Sequence, residues 1–218
     1  MTVKLVIGNR NYSSWSLRSW LLLAEAGIEF DEHRIALDAP GTADELKRYT
    51  PAARVPVLLL DGYAVWDSMA IAETVAERWP ERKLWPDDPR TRAHARSISA
   101  EMHAGFLALR EAMPMNCRAE GRKVPLSAAL TADTDRIFAI WADCHRLYGR
   151  HGDWLFGRFS IADAMYAPVV LRFRSYGVST PKEAGVYPAR LLESPAMQKW
   201  LAAAVTETEV IEKEEIGQ

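Results

Sequence analysis

Hydrophobic positions in the first 80 residues alternate between short β-branched runs and segments with a helical repeat. Val3–Gly8 is a β-branched run that ends at glycine, and it predicts a buried strand. Leu17, Leu21 and Ala24 then follow at helical spacing. Gly27 stands where a glycine commonly ends a helix, because it adopts a positive φ without a steric penalty. The chain therefore begins with a predicted strand and helix.

The rest of this part predicts two more strand and helix units. In order they are a strand over Ile28–Leu37, a polar helix over Ala43–Tyr49, strands over Val57–Leu60 and Tyr63–Trp66, and a helix from Ser68 to near Trp79. Asp61-Gly62 separates the last two strands, and this dipeptide suits the type I′ turn of a hairpin. The predicted order is β-α-β-α-β-β-α, an α/β arrangement.

A proline-rich, charged stretch follows this unit, and strand patterns nearly vanish after it. The predicted organisation is an α/β domain over residues 1–80, a linker over 81–90 and an all-α domain over 91–218. The predicted helices of the second domain span Pro89–Met113, Leu126–Tyr148, Ile161–Tyr176 and Pro195–Glu207. The charged segment "TETEVIEKEEIGQ" at the end is expected to lie on the surface.

Composition narrows the possible partners. The chain has 218 residues, 49% of them hydrophobic, and a net charge of −2 at pH 7, so no basic field indicates nucleic acid. No apolar run approaches the ~18 residues of a membrane span. Cys117 and Cys144 lie outside any metal-ligand spacing, and we expect two free buried thiols, with a single disulfide between them as the alternative. The first residues lack a signal-peptide pattern, which favours the cytoplasm.

Hydroxyl side chains cluster where the first predicted helix begins. Ser13, Ser14 and Ser16 surround Trp15 in "NYSSWSLRSWLLL". Serine before a periodic apolar run commonly caps a helix. A helix N-terminus also attracts anions, because its free N–H groups carry partial positive charge. Both roles remain open from this stretch alone.

Three further motifs lie at element boundaries. Pro56 enters a strand, where a cis Val55–Pro56 bond would leave the Val55 backbone free to pair with a peptide-like ligand. Asp67-Ser68 precedes a helix, where it predicts an N-cap that also faces any nearby carboxylate. Ser160-x-x-Asp163 has the spacing of a capping box.

In their order and spacing these features resemble the glutathione transferase family. The resemblance implies an α/β thioredoxin-like N-terminal domain and an all-α helical C-terminal domain. The resemblance extends over nearly the whole chain, from the hydroxyls of the first helix to the Ser160–Asp163 box. "SSWSLRSWLLL" is similar to the SSCS-x-R stretch of the zeta class, the maleylacetoacetate isomerase group. The chain departs from that class by carrying Trp15 in place of cysteine, which disfavours mixed-disulfide chemistry.

The resemblance implies a site for glutathione as co-substrate. Ser13 is the preferred donor to the glutathione thiolate, Ser14 is the alternative, and Ser16 is expected to cap the helix. Glutathione would be held by Arg54, by Val55 at the Val55–Pro56 bond, and by the Asp67-Ser68 pair.

The resemblance also implies a second-substrate site against the helical domain. Its candidate residues are Met102, His103, Phe106 and Met113, with Arg172 and Arg174 for an acidic substrate. Neither arginine falls on the zeta-class arginine position, which counts to Ser175. Three functions follow: glutathione conjugation to a small electrophile, glutathione-dependent cis–trans isomerisation, or a non-catalytic binding protein. A homodimer is expected from the family.

Overall fold

A four-stranded mixed sheet forms the centre of the first part of the molecule. The computed structural model describes residues 2–217. The strands are β1 (Val3–Ile7), β2 (Asp31–Arg34), β3 (Val57–Leu60) and β4 (Tyr63–Trp66). They lie in the order β2-β1-β3-β4, with β1 parallel to β2 and the other pairs antiparallel. This is the thioredoxin-like sheet that the sequence predicts.

Helices surround the sheet and make up the second part of the described chain. They are α1 (Ser14–Glu25), α2 (Thr42–Lys47), α3 (Ser68–Arg78), α4 (Pro89–Ala104), α5 (Leu107–Ala112), α6 (Ala128–Tyr148), α7 (Ile161–Ser175), α8 (Tyr187–Leu192) and α9 (Pro195–Val205). In the described residues, no strand of the sheet lies beyond β4. The fold class is therefore confirmed, whereas the domain boundaries at residues 80 and 90 stay predictions.

The main turns form at the residues that local sequence patterns predict. Asp61 and Gly62 both have positive φ angles, 46° and 91°, as a type I′ turn requires. Gly27 has a φ of 64° and ends α1 as expected, with its N–H donating to the Ala24 carbonyl at 3.1 Å. The Val55–Pro56 peptide bond is cis, which confirms that prediction.

Two predicted elements are shorter than their patterns. The strand over Ile28–Leu37 is reduced to β2, because the Ile28 N–H still bonds to the Leu23 carbonyl at the end of α1. The helix over Pro89–Met113 divides at Gly105 into α4 and α5. Phe106 there takes a φ of 61°, which is incompatible with a continuous helix. The short helix α8 was not anticipated.

The expectation that the charged segment after α9 lies on the surface is confirmed only in part: within residues 206–217, Glu212 and Lys213 are among the exposed residues, but others turn inward. Glu207 and Ile211 are buried. The Arg10 and Asn11 backbone N–H groups donate to the Glu207 carboxylate, and the Tyr12 hydroxyl donates to Glu215. Charged residues lie inward here because backbone and side-chain donors pair with them. The segment thereby covers the turn that leads into α1.

Helix α1 is the central element of the packing. It contacts the sheet, α3, α7 and α9, and Leu17 and Leu21 are fully buried between them. One hydrophobic cluster runs from β1 through α1 into the second half of the chain. Cys117 and Cys144 are both buried and free, as predicted. No helix within residues 2–217 combines the length and apolarity needed to span a membrane.

Candidate active site

Two neighbouring cavities open at the N-terminus of α1. The larger has a volume of about 940 Å³ and the smaller about 450 Å³. Both are lined by Trp15, Arg54 and Val55. The larger is also lined by Tyr12, Ser13, Ser14, Leu37, Arg110, Arg172, Ile211, Lys213 and Glu214, among others, and the smaller by Pro56, Trp66, Asp67, Ser68 and His103. Most of the predicted site residues therefore meet around Trp15.

Ser13 is the N-cap of α1. Its Oγ accepts a hydrogen bond from the Ser16 backbone N–H at 3.3 Å and donates to the Ser16 Oγ at 2.7 Å. The Ser16 Oγ in turn accepts from the Gly8 N–H at 3.0 Å. The expectation that Ser16 caps the helix is therefore wrong, because Ser13 takes that place and Ser16 ties the end of β1 to α1. Ser13 and Ser16 are thus paired with each other within the protein.

Ser14 has a different set of partners. Its Oγ accepts a hydrogen bond from Nη2 of Arg172 at 3.3 Å. The side chain is buried and lines the larger cavity. A hydroxyl has one donor proton in addition to its acceptor lone pairs, and in the described residues the Ser14 hydroxyl donates to no protein group. Its proton is therefore available to a ligand in the cavity.

Three arginines lie near Ser14. Arg18 on α1 donates to the Met165 carbonyl, Arg110 on α5 to the Gly105 carbonyl, and Arg172 on α7 to the Met113 carbonyl. Within the described residues, none of the three forms an ion pair with a carboxylate. Burial lowers the pKa of each of the three guanidinium groups, and the charge of Arg110 further lowers those of Arg18 and Arg172. The pKa of Arg172 falls to about 10. Because an arginine side chain stays protonated in proteins, these three groups make the site electropositive.

Trp15 lines both cavities and packs against two of these cations. The guanidinium carbons of Arg18 and Arg110 lie 4.3 and 4.8 Å from the centre of its ring. His103 contacts the same ring edge to face at 5.4 Å. An aromatic face attracts a cation through its quadrupole. Trp15 therefore packs against both arginines and forms a wall common to the two cavities.

Asp67 and Ser68 form one wall of the smaller cavity. Asp67 caps α3, accepting from the Met69 and Ala70 backbone N–H groups, with a φ of 73°. Its other oxygen lies 3.1 Å from Nε2 of His103. The Ser68 Oγ is buried and has no hydrogen-bond partner in the described residues. A buried hydroxyl without a partner is costly, and a polar ligand in this cavity would satisfy it.

Four of the proposed substrate residues lie elsewhere. Met102, Phe106 and Met113 line neither cavity, because their side chains belong to the hydrophobic core. Met102 and Met113 contribute backbone carbonyls that accept from Arg110 and Arg172. Arg174 is exposed and pairs with Glu120, because residues two apart on a helix face different directions. Of the six proposed substrate residues, only His103 and Arg172 line the cavities.

The sequence does not predict several residues that line the larger cavity. Arg110 reaches the larger cavity because the chain turns at Phe106, and only Gly105 inside a helical pattern hinted at that break. Ile211, Lys213 and Glu214 line the cavity because the segment after α9 folds back. No local pattern predicts such a long-range contact.

Comparison with known proteins agrees with the geometry. Residues 12–78 match the model of the glutathione S-transferase N-terminal domain, and residues 127–203 match that of the C-terminal domain. Together the two matches cover about two thirds of the chain.

Two curated relatives and one solved structure show the extent of the similarity. Maleylacetoacetate isomerase of Rattus norvegicus is 28% identical over 78% of this chain and 77% of its own length. A probable maleylacetoacetate isomerase of Caenorhabditis elegans is 35% identical, but over only 44% of each chain. A glutathione transferase homologue from Burkholderia, solved with bound glutathione, has a TM-score of 0.71 at 23% identity, covering 95% of this chain and all of its own. That structural likeness shows the fold.

Proposed function

The chain belongs to the glutathione S-transferase family, and we propose that it binds glutathione and uses the glutathione thiolate to attack a small electrophile. The observation that carries this proposal is the Ser14 hydroxyl, whose proton is free to enter an electropositive cavity at the N-terminus of α1. The family resemblance assigns the thiol to this position. The residues around the smaller cavity can bind the rest of the tripeptide beside the thiol.

The residues around the smaller cavity suit the peptide part of glutathione. The unpartnered Ser68 hydroxyl and the Asp67 carboxylate would hold the γ-glutamyl end. Val55, which lines both cavities, would pair through its backbone with the cysteinyl residue. Arg54 is exposed at the same wall and would reach the glycyl carboxylate. A structure solved for the Burkholderia homologue contains glutathione, which supports the choice of ligand.

Ser14 is our choice for the thiolate donor, in place of Ser13. A thiol has a pKa of about 8.5, and lowering it by ~2 units requires ~2.7 kcal/mol. A hydrogen bond to a charged acceptor contributes about 1.5–3 kcal/mol, and a helix N-terminus adds roughly 0.3–1 kcal/mol. Ser13 is already paired with Ser16, through the contact of the two hydroxyls and through the Ser16 N–H that it caps, whereas the Ser14 hydroxyl donates to no group in the described residues. The thiol proton leaves to solvent, so no side-chain base is needed.

Paired serine variants test this assignment. In Ser14→Ala the pKa of bound glutathione should rise by roughly 1–2 units, and the conjugation rate at pH 7 should fall about tenfold or more. Ser13→Ala should instead cost about 1 kcal/mol of stability through the lost cap. Titration of the thiolate absorbance of bound glutathione measures the first effect, and urea unfolding the second. An unchanged titration in Ser14→Ala would exclude Ser14 as the donor.

Isomerisation is the second candidate reaction. Two relatives are named as maleylacetoacetate isomerases, and Arg110 and Arg172 make the larger cavity suitable for an acidic substrate. In such a reaction the thiolate adds to a double bond and leaves again, so glutathione is not consumed. Assays with maleylacetone and with a panel of electrophiles separate isomerisation from conjugation. Binding of glutathione without turnover of either would indicate a non-catalytic binding protein.

Two features expected from the family remain proposals. We expect a homodimer, and light scattering at micromolar concentration should give about twice the 24.5 kDa chain mass. A cytoplasmic location is the other, and cell fractionation tests it. A monomer mass would contradict the first proposal without affecting the site, which one chain builds from its own residues.

A further inference from the structure

A buried arginine on α7 contacts the serine at the N-terminus of α1. Arg172 is buried, and its helix packs along α1. Nη1 donates to the Met113 carbonyl, and Nη2 donates to the Ser14 Oγ at 3.3 Å. The guanidinium also lines the larger cavity. The side chain is thus held on one side by a carbonyl and faces the reacting region on the other.

Arg172 lacks an anionic partner of its own. In the described part of the chain no carboxylate forms an ion pair with it. The charged and titratable groups that face it are Arg18 from α1, Arg110 from α5 and Glu214 from the segment after α9, with Tyr176 and Cys117 nearby. A buried cation without a paired anion is unfavourable, so an anion formed in the cavity would be stabilised there.

The direction of the hydrogen bond determines how Ser14 is oriented. Because a guanidinium only donates, the Ser14 oxygen accepts from Arg172 and its own proton points away from the arginine. The cavity lies beside that hydroxyl. The arginine therefore holds the hydroxyl in the rotamer in which it donates to a ligand atom, and its charge strengthens that donor.

We propose that Arg172 is a positioning residue for the thiolate chemistry, acting through Ser14. It orients the Ser14 hydroxyl toward the sulfur and adds positive charge beside the developing thiolate. The S–H bond is the one that breaks, its electron pair stays on sulfur, and the proton passes to water. This inference rests on the proposed glutathione site, and it gives that site a second determinant of thiol acidity on a different helix.

Substitution of Arg172 tests the proposal through the pKa of bound glutathione. In Arg172→Met the thiol pKa should rise by roughly one unit or more, with glutathione affinity changed less than the rate at pH 7. Arg172→Lys should give an intermediate shift, because one ammonium group cannot reproduce the fork that joins Met113 and Ser14. Raising the pH should recover most of the lost rate in both variants. Arg146→Met is the matched control, since Arg146 is an exposed arginine on α6, and it should leave the titration unchanged.

A double-mutant cycle tests whether the effect passes through Ser14. When Ser14→Ala is already present, adding Arg172→Lys should shift the thiol pKa by much less than it does in the wild-type background. Full additivity would overturn the positioning role. A purely structural role predicts loss of stability with no change of the pH profile.

The possible failures are distinguishable. A folded Arg172→Met protein that binds glutathione with the wild-type thiol pKa would overturn this inference and leave the proposed function intact. Should Arg172→Met fail to fold, Arg172→Lys decides, and a wild-type titration in that variant overturns the inference. Failure of the wild-type protein to bind glutathione would remove the proposed function itself.

Discussion

The Asn11 backbone N–H donates to Oε2 of Glu207 at 3.1 Å, joining the turn before α1 to the segment after α9 across 196 positions of sequence. The other carboxylate oxygen accepts from the Arg10 N–H at 2.8 Å. Because this turn leads directly into Ser13 and Ser14, the end of the chain helps to fix the start of the candidate active site. Glu207 is buried at this contact, so water cannot readily replace it.

Removing the Glu207 carboxylate should destabilise the protein. Glu207→Ala leaves two backbone N–H groups without their acceptor, and each buried unpaired donor costs about 1–3 kcal/mol. We expect the free energy of unfolding to fall by about 2–6 kcal/mol in urea titrations. Glu209→Ala is the control, since Glu209 forms a part-exposed pair with Arg34 that is worth about 1 kcal/mol or less. Equal effects of the two changes would contradict a special role for Glu207.

The buried carboxyl of Asp163 should make stability depend on pH. Burial raises its pKa to about 7, although the Leu155 and Ser160 N–H groups and the Ser160 hydroxyl donate to it and lower the pKa in part. In the unfolded chain the pKa is about 3.9. The folded state therefore holds this proton more tightly, and the contribution of Asp163 to the free energy of unfolding is lost as the pH rises from about 4 to about 7.

Comparison with Asp163→Asn isolates that contribution from those of other carboxyls, because asparagine does not titrate. We expect the stability of the wild-type protein relative to Asp163→Asn to decrease steadily between about pH 4 and pH 7 and to level off above it. Urea unfolding at four or five pH values gives the difference. A constant difference across this range would show that Asp163 does not change its protonation between the folded and unfolded states.

The sequence predicts the fold wherever a local rule determines the backbone. Asp61-Gly62 specifies its turn through two positive φ angles, Gly27 ends α1, and Ser160 with Asp163 forms the capping box. Asp67-Ser68 was found in the same way, because a helix start has its own residue pattern. These signals act over a few residues, so a single sequence contains them.

The rest of the site depends on contacts between distant segments. Ser13 and Ser14 are alike as a sequence pattern, and they differ in their partners, since Ser13 pairs with Ser16 whereas Ser14 accepts from Arg172. Arg110 enters the cavity after a break in a helical pattern. The charged residues near the end of the chain resemble a solvated tail until the donors of residues 10–12 are placed beside them. Composition and periodicity do not predict such contacts between distant residues.

Trp15 should stabilise the fold through the two arginines that contact its ring. Its ring faces the guanidinium groups of Arg18, which is buried, and Arg110. Each cation–π contact contributes roughly 0.5–2 kcal/mol. Truncation of a fully buried tryptophan to alanine costs about 3–5 kcal/mol, and Trp15 is only half-buried. We therefore expect Trp15→Ala to lower the free energy of unfolding by about 2–4 kcal/mol.

Two further variants separate the ring's charge interaction from its volume. Trp15→Phe retains a smaller π face over both guanidinium groups, so it should lose about 1–2 kcal/mol, less than alanine does. Trp66→Ala is the matched control for removing a tryptophan from the same cavity wall. Trp66 is 45% exposed, and its loss should cost about 1 kcal/mol or less.

Urea unfolding followed by far-UV circular dichroism measures all three variants, since the signal does not depend on tryptophan fluorescence. If Trp15→Ala cost no more than Trp66→Ala, the arginines would not depend on the ring, and Arg18 would have to be stabilised by its bond to the Met165 carbonyl alone.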